Sequence, residues 1–175
     1  VAKRGEFVAI MGRSGAGKST LLYQMSLLDE PTSGEIFIER KNTAEFSLNE
    51  KTEFRLSQLG YIFQDYALLP ELTALENVLL PLLMQGIDEK KARAKAQEHL
   101  ILVGLGERLD NLPSQLSGGE QQRVSIARAI AHEPKILFAD EPTANLDNES
   151  SRIVMNILKE LHKEGQTIIM VTHEL

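Results

Sequence analysis

Gly12-Arg13-Ser14-Gly15-Ala16-Gly17-Lys18-Ser19 is the stretch that decides the fold of this chain. It has the form G-x-x-x-x-G-K-S, and an apolar run, residues 7–11, stands directly before it. Glycines at these positions let backbone N–H groups converge on a phosphate, and a helix that starts at the end of the loop adds partial positive charge. We therefore predict a strand, a phosphate-binding loop and a helix, with Lys18 at the β- and γ-phosphates and Ser19 on Mg²⁺. The alternative is a flexible glycine turn.

Strand-like and helix-like segments alternate along the rest of the chain. Short apolar runs occur at 35–38, 61–63, 135–139 and 167–172, and helical patterns occur at 49–58, 73–84, 88–103, 117–132 and 148–163. This alternation favours an α/β fold with a mainly parallel sheet flanked by helices. Residues 65–132 are helical in pattern throughout, and the length of 175 residues favours a single domain. Its core comprises residues 1–64 and 133–175, and residues from about 65 to 132 form an inserted helical subdomain.

Three local features can be anticipated within this arrangement. Pro81 is expected to kink its helix or to end it early. His99 and His132 are expected at surface positions on helices. The helix 148–163 carries an apolar stripe that we expect in the core, made of Ile153, Val154, Ile157, Leu158 and Leu161.

The loop 65–72 is unusually apolar, because it contains Tyr66, Leu68, Leu69 and Leu72. A loop that is exposed to solvent along its whole length is not expected to carry so many apolar side chains. The residues alone leave open whether these side chains are buried under the inserted helices or exposed for a partner.

The composition excludes several classes of protein. The chain has 19 Lys and Arg against 25 Asp and Glu, a net charge of -6, which argues against nucleic-acid binding and against direct docking on anionic lipid. The absence of cysteine excludes disulfides, zinc–thiolate sites and thiol catalysis. No apolar run approaches the roughly 18 residues of a membrane span. Since the chain lacks a starting Met and both ends stop beside strand-like runs, we expect it to be truncated at both ends.

Two adjacent carboxylates follow the apolar run 135–139 and suggest a metal and a base for the phosphate site. Successive strand residues face opposite ways, so Asp140 and Glu141 can take different tasks. Asp140 suits the coordination shell of Mg²⁺, and Glu141 suits polarising a water in line with the γ-phosphate. Ligands of open α/β sheets lie beyond the carboxyl ends of the strands, where both this pair and the loop 12–19 fall.

A third motif, Leu116-Ser117-Gly118-Gly119-Glu120-Gln121-Gln122-Arg123, stands at the start of a helix. Ser117 and Glu120 have the spacing of a capping box. The same hydroxyl, together with bare glycine amides and the helix dipole, also suits an anion. These residues alone do not decide between a plain helix cap and a phosphate contact.

Together the motifs resemble those of the ATP-binding-cassette (ABC) ATPases over the whole chain. Residues 116–123 resemble the family signature, the loop 12–19 resembles Walker A, and residues 136–141 resemble Walker B with its catalytic Glu. The remaining matches are Ile62-Phe63-Gln64 to the Q-loop, Ala144-Asn145-Leu146-Asp147 to the D-loop, and Val171-Thr172-His173 to the switch histidine. The stretches 27–34 and 72–78 are most similar to the lipoprotein-releasing and macrolide-exporter branch (LolD, MacB and FtsE-like). Ala144 and Glu174 depart from the common pattern, which has Gly and Asp there.

The resemblance implies ATP as the nucleotide, Mg²⁺ as the metal, and a head-to-tail dimer. Each site would pair the Walker motifs of one subunit with residues 117–119 of the other. The catalytic residues would be Glu141, His173, Gln64 and Lys18, and Mg²⁺ would be held by Ser19, Gln64 and Asp140. The implied ATP-binding residues are Gly12, Ser14, Gly15, Ala16, Gly17, Lys18, Ser19, Thr20, Ser117, Gly118, Gly119 and Asp147. The aromatic residue that stacks on adenine in relatives would lie upstream of Val1.

The function favoured by the resemblance is that of the ATPase subunit of a membrane transporter. It would hydrolyse ATP at the cytoplasmic face of the membrane, and a transmembrane permease subunit would dock at the loop 65–72. The transported substrate, of lipoprotein, macrolide or peptide type, would be selected by that partner. One alternative is an ABC ATPase that acts on DNA or ribosomes, although the interval from Gln64 to Leu116 has no sustained heptads and the chain has a single cassette. Another is a module that binds ATP without hydrolysing it.

Overall fold

The computed structural model describes residues 1–173 and has the predicted alternation of strands and helices. Within these residues the strands are β1 (Phe7–Met11), β2 (Phe37–Ile38), β3 (Lys41–Asn42), β4 (Leu59–Ile62), β5 (Ile136–Asp140) and β6 (Thr167–Thr172). The helices are α1 (Lys18–Met25), α2 (Leu48–Gln58), α3 (Ala74–Met84), α4 (Glu89–Leu102), α5 (Gly118–Ile130) and α6 (Asn148–Lys163). Short 3₁₀ turns lie at Thr43–Glu45 and Pro113–Gln115.

The main sheet contains four strands in the order β1-β6-β5-β4, and every neighbouring pair is parallel. The register pairs Met11 with Thr172 and Asp140 with Val171, so the strands end together. Strands β2 and β3 form a separate antiparallel hairpin. The sequence analysis predicted one strand there, since two-residue strands are too short to show a periodic pattern.

The core lies on both faces of the main sheet. Strands β5 and β6 alternate their side chains between two buried clusters, as the period of two requires. One cluster takes in side chains of α3, α4, α5 and α6, and the other takes in Leu22 of α1. The first cluster runs without interruption from the sheet into the helices of residues 65–132. The division into a core and an inserted subdomain stays a prediction.

A close approach fixes α5 against the edge strand β4. A β-carbon at Gly60 would collide with the carbonyl oxygen of Ala129 and would touch Pro134 and Leu137. Only a glycine lets the backbone of α5 come this near to the strand. Helix α5 therefore packs closely against β4 at this position.

The structure corrects the expectation for the apolar stripe of α6 and excludes one of the two outcomes expected at Pro81. Ile153 is exposed, because the buried face of α6 is centred on Val154, Leu158 and Leu161; Ile157 is half-buried. Pro81 does not end α3 early, since the helix continues through it to Met84. The apolar residues of α6 thus cover a wider sector of the helix surface than the face that packs against the core.

Both histidines expected at the surface are half-buried instead. A ring nitrogen of His132, Nε2, lies 3.0 Å from the carbonyl oxygen of Leu59. Burial lowers the pKa of His132, with the hydrogen bond to Leu59 acting in the opposite direction. His132 therefore contacts the backbone of β4.

Candidate functional site

The four parallel strands deliver the predicted site residues to one edge of the sheet. The loop 12–19 follows β1, Glu141 follows β5 and His173 follows β6. Gln64 comes two residues after the end of β4. Parallel strands all present their carboxyl ends on the same side, which explains how residues far apart in the sequence meet there.

The loop 12–19 has the shape of an anion-binding turn. Gly15 and Gly17 have φ angles of 77° and 83°, in the left-handed region that favours glycine. Gly17 is the N-cap of α1 and offers no side chain to the first amides of the helix. Those amides stay available to an external acceptor. Within the loop, Ser14, Gly15 and Ala16 are exposed, and Thr20 on the first turn of α1 is exposed as well.

Lys18 stands apart from the rest of the loop because it is buried, with 8% of its surface exposed. Its ammonium donates to the carbonyl oxygen of Arg13 at 3.2 Å and lies 3.5 Å from Glu141 Oε1. The long side chain thus reaches back across the loop to the end of β5. This links the phosphate loop directly to the second predicted motif.

A hydrogen bond of 2.8 Å runs from the Ser19 hydroxyl to Asp140 Oδ1. Asp140 is only 3% exposed, and burial raises the pKa of its carboxyl while the hydrogen bond from Ser19 acts in the opposite direction. A buried carboxylate beside a hydroxyl suits Mg²⁺, which takes oxygen ligands and keeps several from water and phosphate. The residues present therefore fit the metal.

Gln64, the third predicted metal residue, is exposed. Within residues 1–173, no hydrogen bond joins its side chain to Ser19 or Asp140. Its backbone carbonyl accepts a hydrogen bond of 3.1 Å from the side chain of Asn145. The structure thus attaches the Gln64 backbone to residues 144–147.

Glu141 occupies an unusual backbone conformation for a residue other than glycine, with a φ angle of 41°. Its N–H donates to the carbonyl oxygen of Val171 at 3.0 Å, so the ladder continues although the strand has ended. The carboxylate lies 2.9 Å from Nδ1 of His173. The sequence analysis expected strand alternation to separate Asp140 from Glu141, whereas a left-handed turn aims the second carboxylate. Such strain of roughly 1–3 kcal/mol concentrates at functional sites.

Tyr61 is a site residue that the sequence analysis missed. Its hydroxyl donates to Asp140 Oδ2 at 3.5 Å, and its ring lies 4.3 Å from that of Phe63 between centroids. Burial and the charge of Asp140 raise the pKa of Tyr61, which keeps the phenol neutral and able to donate. A tyrosine in an apolar strand gives no sequence signal of a contact with a carboxylate 79 positions away.

Ser117 is the N-cap of α5, and the predicted capping box with Glu120 is confirmed. The serine hydroxyl accepts from the Glu120 N–H at 3.2 Å, and the Ser117 N–H donates to the Glu120 carboxylate at 2.8 Å. A β-carbon at Gly119 would lie 2.5 Å from the Ser150 hydroxyl oxygen. Gly119 is therefore required for the close packing of α5 against α6.

Asp147, predicted as a contact to a partner site, caps α6 within its own chain. Its Oδ1 accepts from the N–H groups of Glu149 and Ser150, each at 2.9 Å. These hydrogen bonds lower the pKa of the Asp147 carboxyl. Glu174, noted above as a departure from the common pattern, lies outside the described residues.

Residues 1–173 lack two kinds of feature. No helix there is both long and apolar enough to cross a membrane. The same residues contain no group of three or more His, Asp or Glu side chains arranged to hold a metal ion. A Mg²⁺ ion at Ser19 and Asp140 would therefore depend on phosphate and water for its other ligands.

This chain is similar to known proteins along nearly its whole length. The family model described as ABC transporter matches residues 2–144. An uncharacterised ABC transporter ATP-binding protein of Methanocaldococcus jannaschii is 55% identical, with 98% of this chain and 77% of that protein covered. The lipoprotein-releasing system ATP-binding protein LolD of Aquifex aeolicus is 51% identical, with the same coverage. The macrolide export ATP-binding/permease protein MacB of Bartonella quintana is 50% identical, with 99% of this chain but 26% of MacB covered.

The fold matches a solved ATP-binding cassette, a dimer in a post-hydrolysis state bound to ADP and Pi. The TM-score is 0.91 at 45% identity, and the match covers 99% of this chain and 77% of the solved chain. It supports the predicted α/β fold with a parallel sheet. From the family match over residues 2–144 and these relatives, the chain belongs to the ABC transporter family and is one of its ATP-binding components.

Proposed function

We propose that this chain binds Mg-ATP, hydrolyses it to ADP and phosphate, and powers export or extraction of a substrate through a permease in the membrane. The observation that carries the proposal is the hydrogen-bonded group at the carboxyl edge of the sheet. In it, Ser19 is bonded to Asp140, and Glu141 lies between Lys18 and His173. A metal site, a cation for phosphate and a carboxylate base thus stand beside one anion-binding loop.

In this proposal the residues of the group take separate roles. The loop amides and Lys18 bind the β- and γ-phosphates. Glu141 accepts the proton of a water that attacks the γ-phosphorus in line as the bond to ADP breaks. His173, held against Glu141, orients that carboxylate, and Gln64 contributes from the end of β4. Ser19 and Asp140 would hold Mg²⁺, which would supply charge stabilisation for the transferring phosphoryl group.

The signature residues are assigned to the partner's nucleotide. Ser117 is exposed at the capped start of α5, where the N-terminus of the helix suits an anion. The similarity to a dimeric cassette supports a head-to-tail dimer in which the start of α5 closes the opposite site. Asp147 would contact the partner near the same place.

An apolar groove supports a membrane partner. It consists of two adjoining cavities of about 270 and 240 Å³ that share Tyr61 and Met84. Their walls include Leu28 and Leu56 on one side, and Leu69 and Leu80 on the other. Leu69 and Met84 are 43% and 65% exposed. An apolar groove of this kind suits a helix of the permease, which would place the protein at the cytoplasmic face of the membrane.

Leu69→Asp is expected to abolish assembly with the permease while leaving soluble ATPase activity intact. Leu69 is an exposed side chain on the groove wall, so a carboxylate there would be desolvated by an apolar partner. Leu68 packs against the main core cluster, which favours burial at that position and makes it a poor test. The measurement is co-purification of the membrane subunit with the affinity-tagged protein.

Ile101→Asp is the matched control for this experiment. Ile101 is 62% exposed on α4 and lies away from the groove. This variant should keep the complex. A complex that survives Leu69→Asp would contradict docking at the groove.

Asp140→Asn is expected to remove the effect of Mg²⁺ on ATP affinity. The amide keeps the shape of the side chain but loses the charge that the metal requires, and we expect the Mg²⁺-dependent gain in affinity to fall by about tenfold or more. Fluorescent ATP would be titrated with Mg²⁺ and with EDTA, for the variant and for the exposed control Asp110→Asn. An equal Mg²⁺ effect in Asp140→Asn and its parent would refute the metal assignment.

A further inference from the structure

The backbone turn after Gln64 is strained. Tyr66 and Ala67 have φ angles of 65° and 47°, so two consecutive residues other than glycine occupy the left-handed region. The turn is tight, with the Ala67 N–H donating to the carbonyl oxygen of Asp65 at 2.7 Å. Left-handed conformations at such residues persist only where the surroundings over-determine them.

Arg128 of α5 supplies that restraint. Its guanidinium donates to the carbonyl oxygen of Ala67 at 2.5 Å and to that of Tyr66 at 2.9 Å. Both oxygens belong to the left-handed residues, and the planar fork of an arginine suits two acceptors at once. The side chain is half-buried, so these bonds are partly shielded from competing water.

The side chain of Tyr66 makes a second contact with the same helix. A β-carbon at Gly118 would lie 2.9 Å from the Tyr66 hydroxyl oxygen, so this hydroxyl sits directly over the first residue of α5. Tyr66 thus contacts α5 near both ends of the helix. Its carbonyl oxygen contacts Arg128, and its hydroxyl lies over Gly118. At Gly60 the same helix lies close against β4, so the turn is attached to an element that also packs on the sheet.

We propose that Arg128 is a positioning residue that fastens the turn carrying Gln64 to α5 and so sets the relation between Gln64 and the signature residue Ser117. The inference rests on the proposed function, because it assumes that Gln64 faces the nucleotide of its own site and Ser117 that of the partner. Loss of the fastening leaves the phosphate loop untouched and impairs closure of the dimer around ATP.

The test uses Arg128→Met, which keeps an unbranched stem similar to that of arginine and removes the donors, in a Glu141→Gln background. ATP affinity of the monomer, measured with fluorescent ATP, should be unchanged. The dissociation constant of the ATP-dependent dimer, measured by sedimentation, should rise by about tenfold or more, as expected for lost hydrogen bonds to a charged group. Combined with Gln64→Ala, Arg128→Met should add little further loss, because both changes disable one unit.

Arg55→Met is the matched control. Arg55 donates to the carbonyl oxygen of Leu27 at 2.7 Å, and Leu27 is also left-handed, with a φ angle of 63°. Arg55 therefore makes the same kind of hydrogen bond as Arg128 without touching α5. Arg55→Met should leave the dissociation constant of the ATP-dependent dimer unchanged.

The inference would be overturned if Arg128→Met and the control had equal dissociation constants for the ATP-dependent dimer. It would also be overturned if the losses of dimer affinity from Arg128→Met and Gln64→Ala multiplied in the double variant. If Arg128→Met does not fold, Arg128→Lys compared with Arg55→Lys carries the same test, with a smaller rise expected for Arg128→Lys alone. A Glu141→Gln parent that forms no ATP-dependent dimer would instead overturn the proposed function, and the inference with it.

Discussion

Glu141→Gln is expected to bind ATP, to lose hydrolysis by about 100-fold or more, and to accumulate as a dimer with ATP trapped between the subunits. The amide keeps the shape of the carboxylate but cannot accept the proton of the attacking water. The left-handed backbone at Glu141 sets the direction in which this side chain leaves the end of β5. Phosphate release would be measured first, followed by gel filtration with Mg-ATP and with Mg-ADP.

The structure offers a close control for this variant. Glu133 also has a positive φ, 56°, and pairs with a lysine, Lys95, at 2.6 Å. Glu133→Gln removes the same charge from the same backbone conformation at a place outside the site, and should hydrolyse ATP normally. Normal turnover in Glu141→Gln, or an elution volume that ATP does not change, would contradict the role given to Glu141.

Mixing two inactive variants, Ser117→Arg and Lys18→Ala, is expected to restore ATPase activity. An arginine at position 117 would fill the space for the partner's γ-phosphate, and loss of Lys18 weakens ATP binding in the subunit that carries it. Each mixed dimer contains one composite site with Lys18 from one subunit and Ser117 from the other. Random pairing of equal amounts in a two-fold dimer predicts about a quarter of the parental activity if the two sites act independently.

The cap at Ser117 requires its own control, since the substitution also removes a helix N-cap, typically worth about 1 kcal/mol. Ser47 forms the same capping box with Glu50 at the start of α2. Ser47→Arg should lose similar stability and keep its activity. Dimers that form in the mixture but recover no activity would rule out sites shared between subunits.

Much of the site was predictable because several of its features are formed by residues that are adjacent in the sequence. The glycines and Lys18 specify a phosphate loop wherever a strand precedes them and a helix follows. The capping box at Ser117 was predicted from a four-residue pattern and is present. Such features depend on neighbours within one turn of the backbone, so the sequence contains all the groups involved.

Other features depend on residues far apart in the chain and had no local signal. Arg128 bonded to the turn at Tyr66, Asn145 bonded to Gln64, and Tyr61 bonded to Asp140 each join separate elements. Gly60 was given no role in the sequence analysis, since the helix that requires it lies about 70 positions later. The exposure of Ile153 likewise follows from how α6 rotates against its neighbours, which helical periodicity alone leaves free.

The amino-acid sequence by itself determined the α/β class, the phosphate loop, the carboxylate pair and the order of the family motifs, because periodicity and short motifs are properties of adjacent residues. Only the tertiary structure decided which groups touch. The parallel sheet brings the ends of β1, β5 and β6 together and lets Lys18, Glu141 and His173 form one cluster. A left-handed backbone aims Glu141, and Arg128 holds the turn after Gln64. These contacts arise from packing between distant segments, which the chain specifies only through its whole fold.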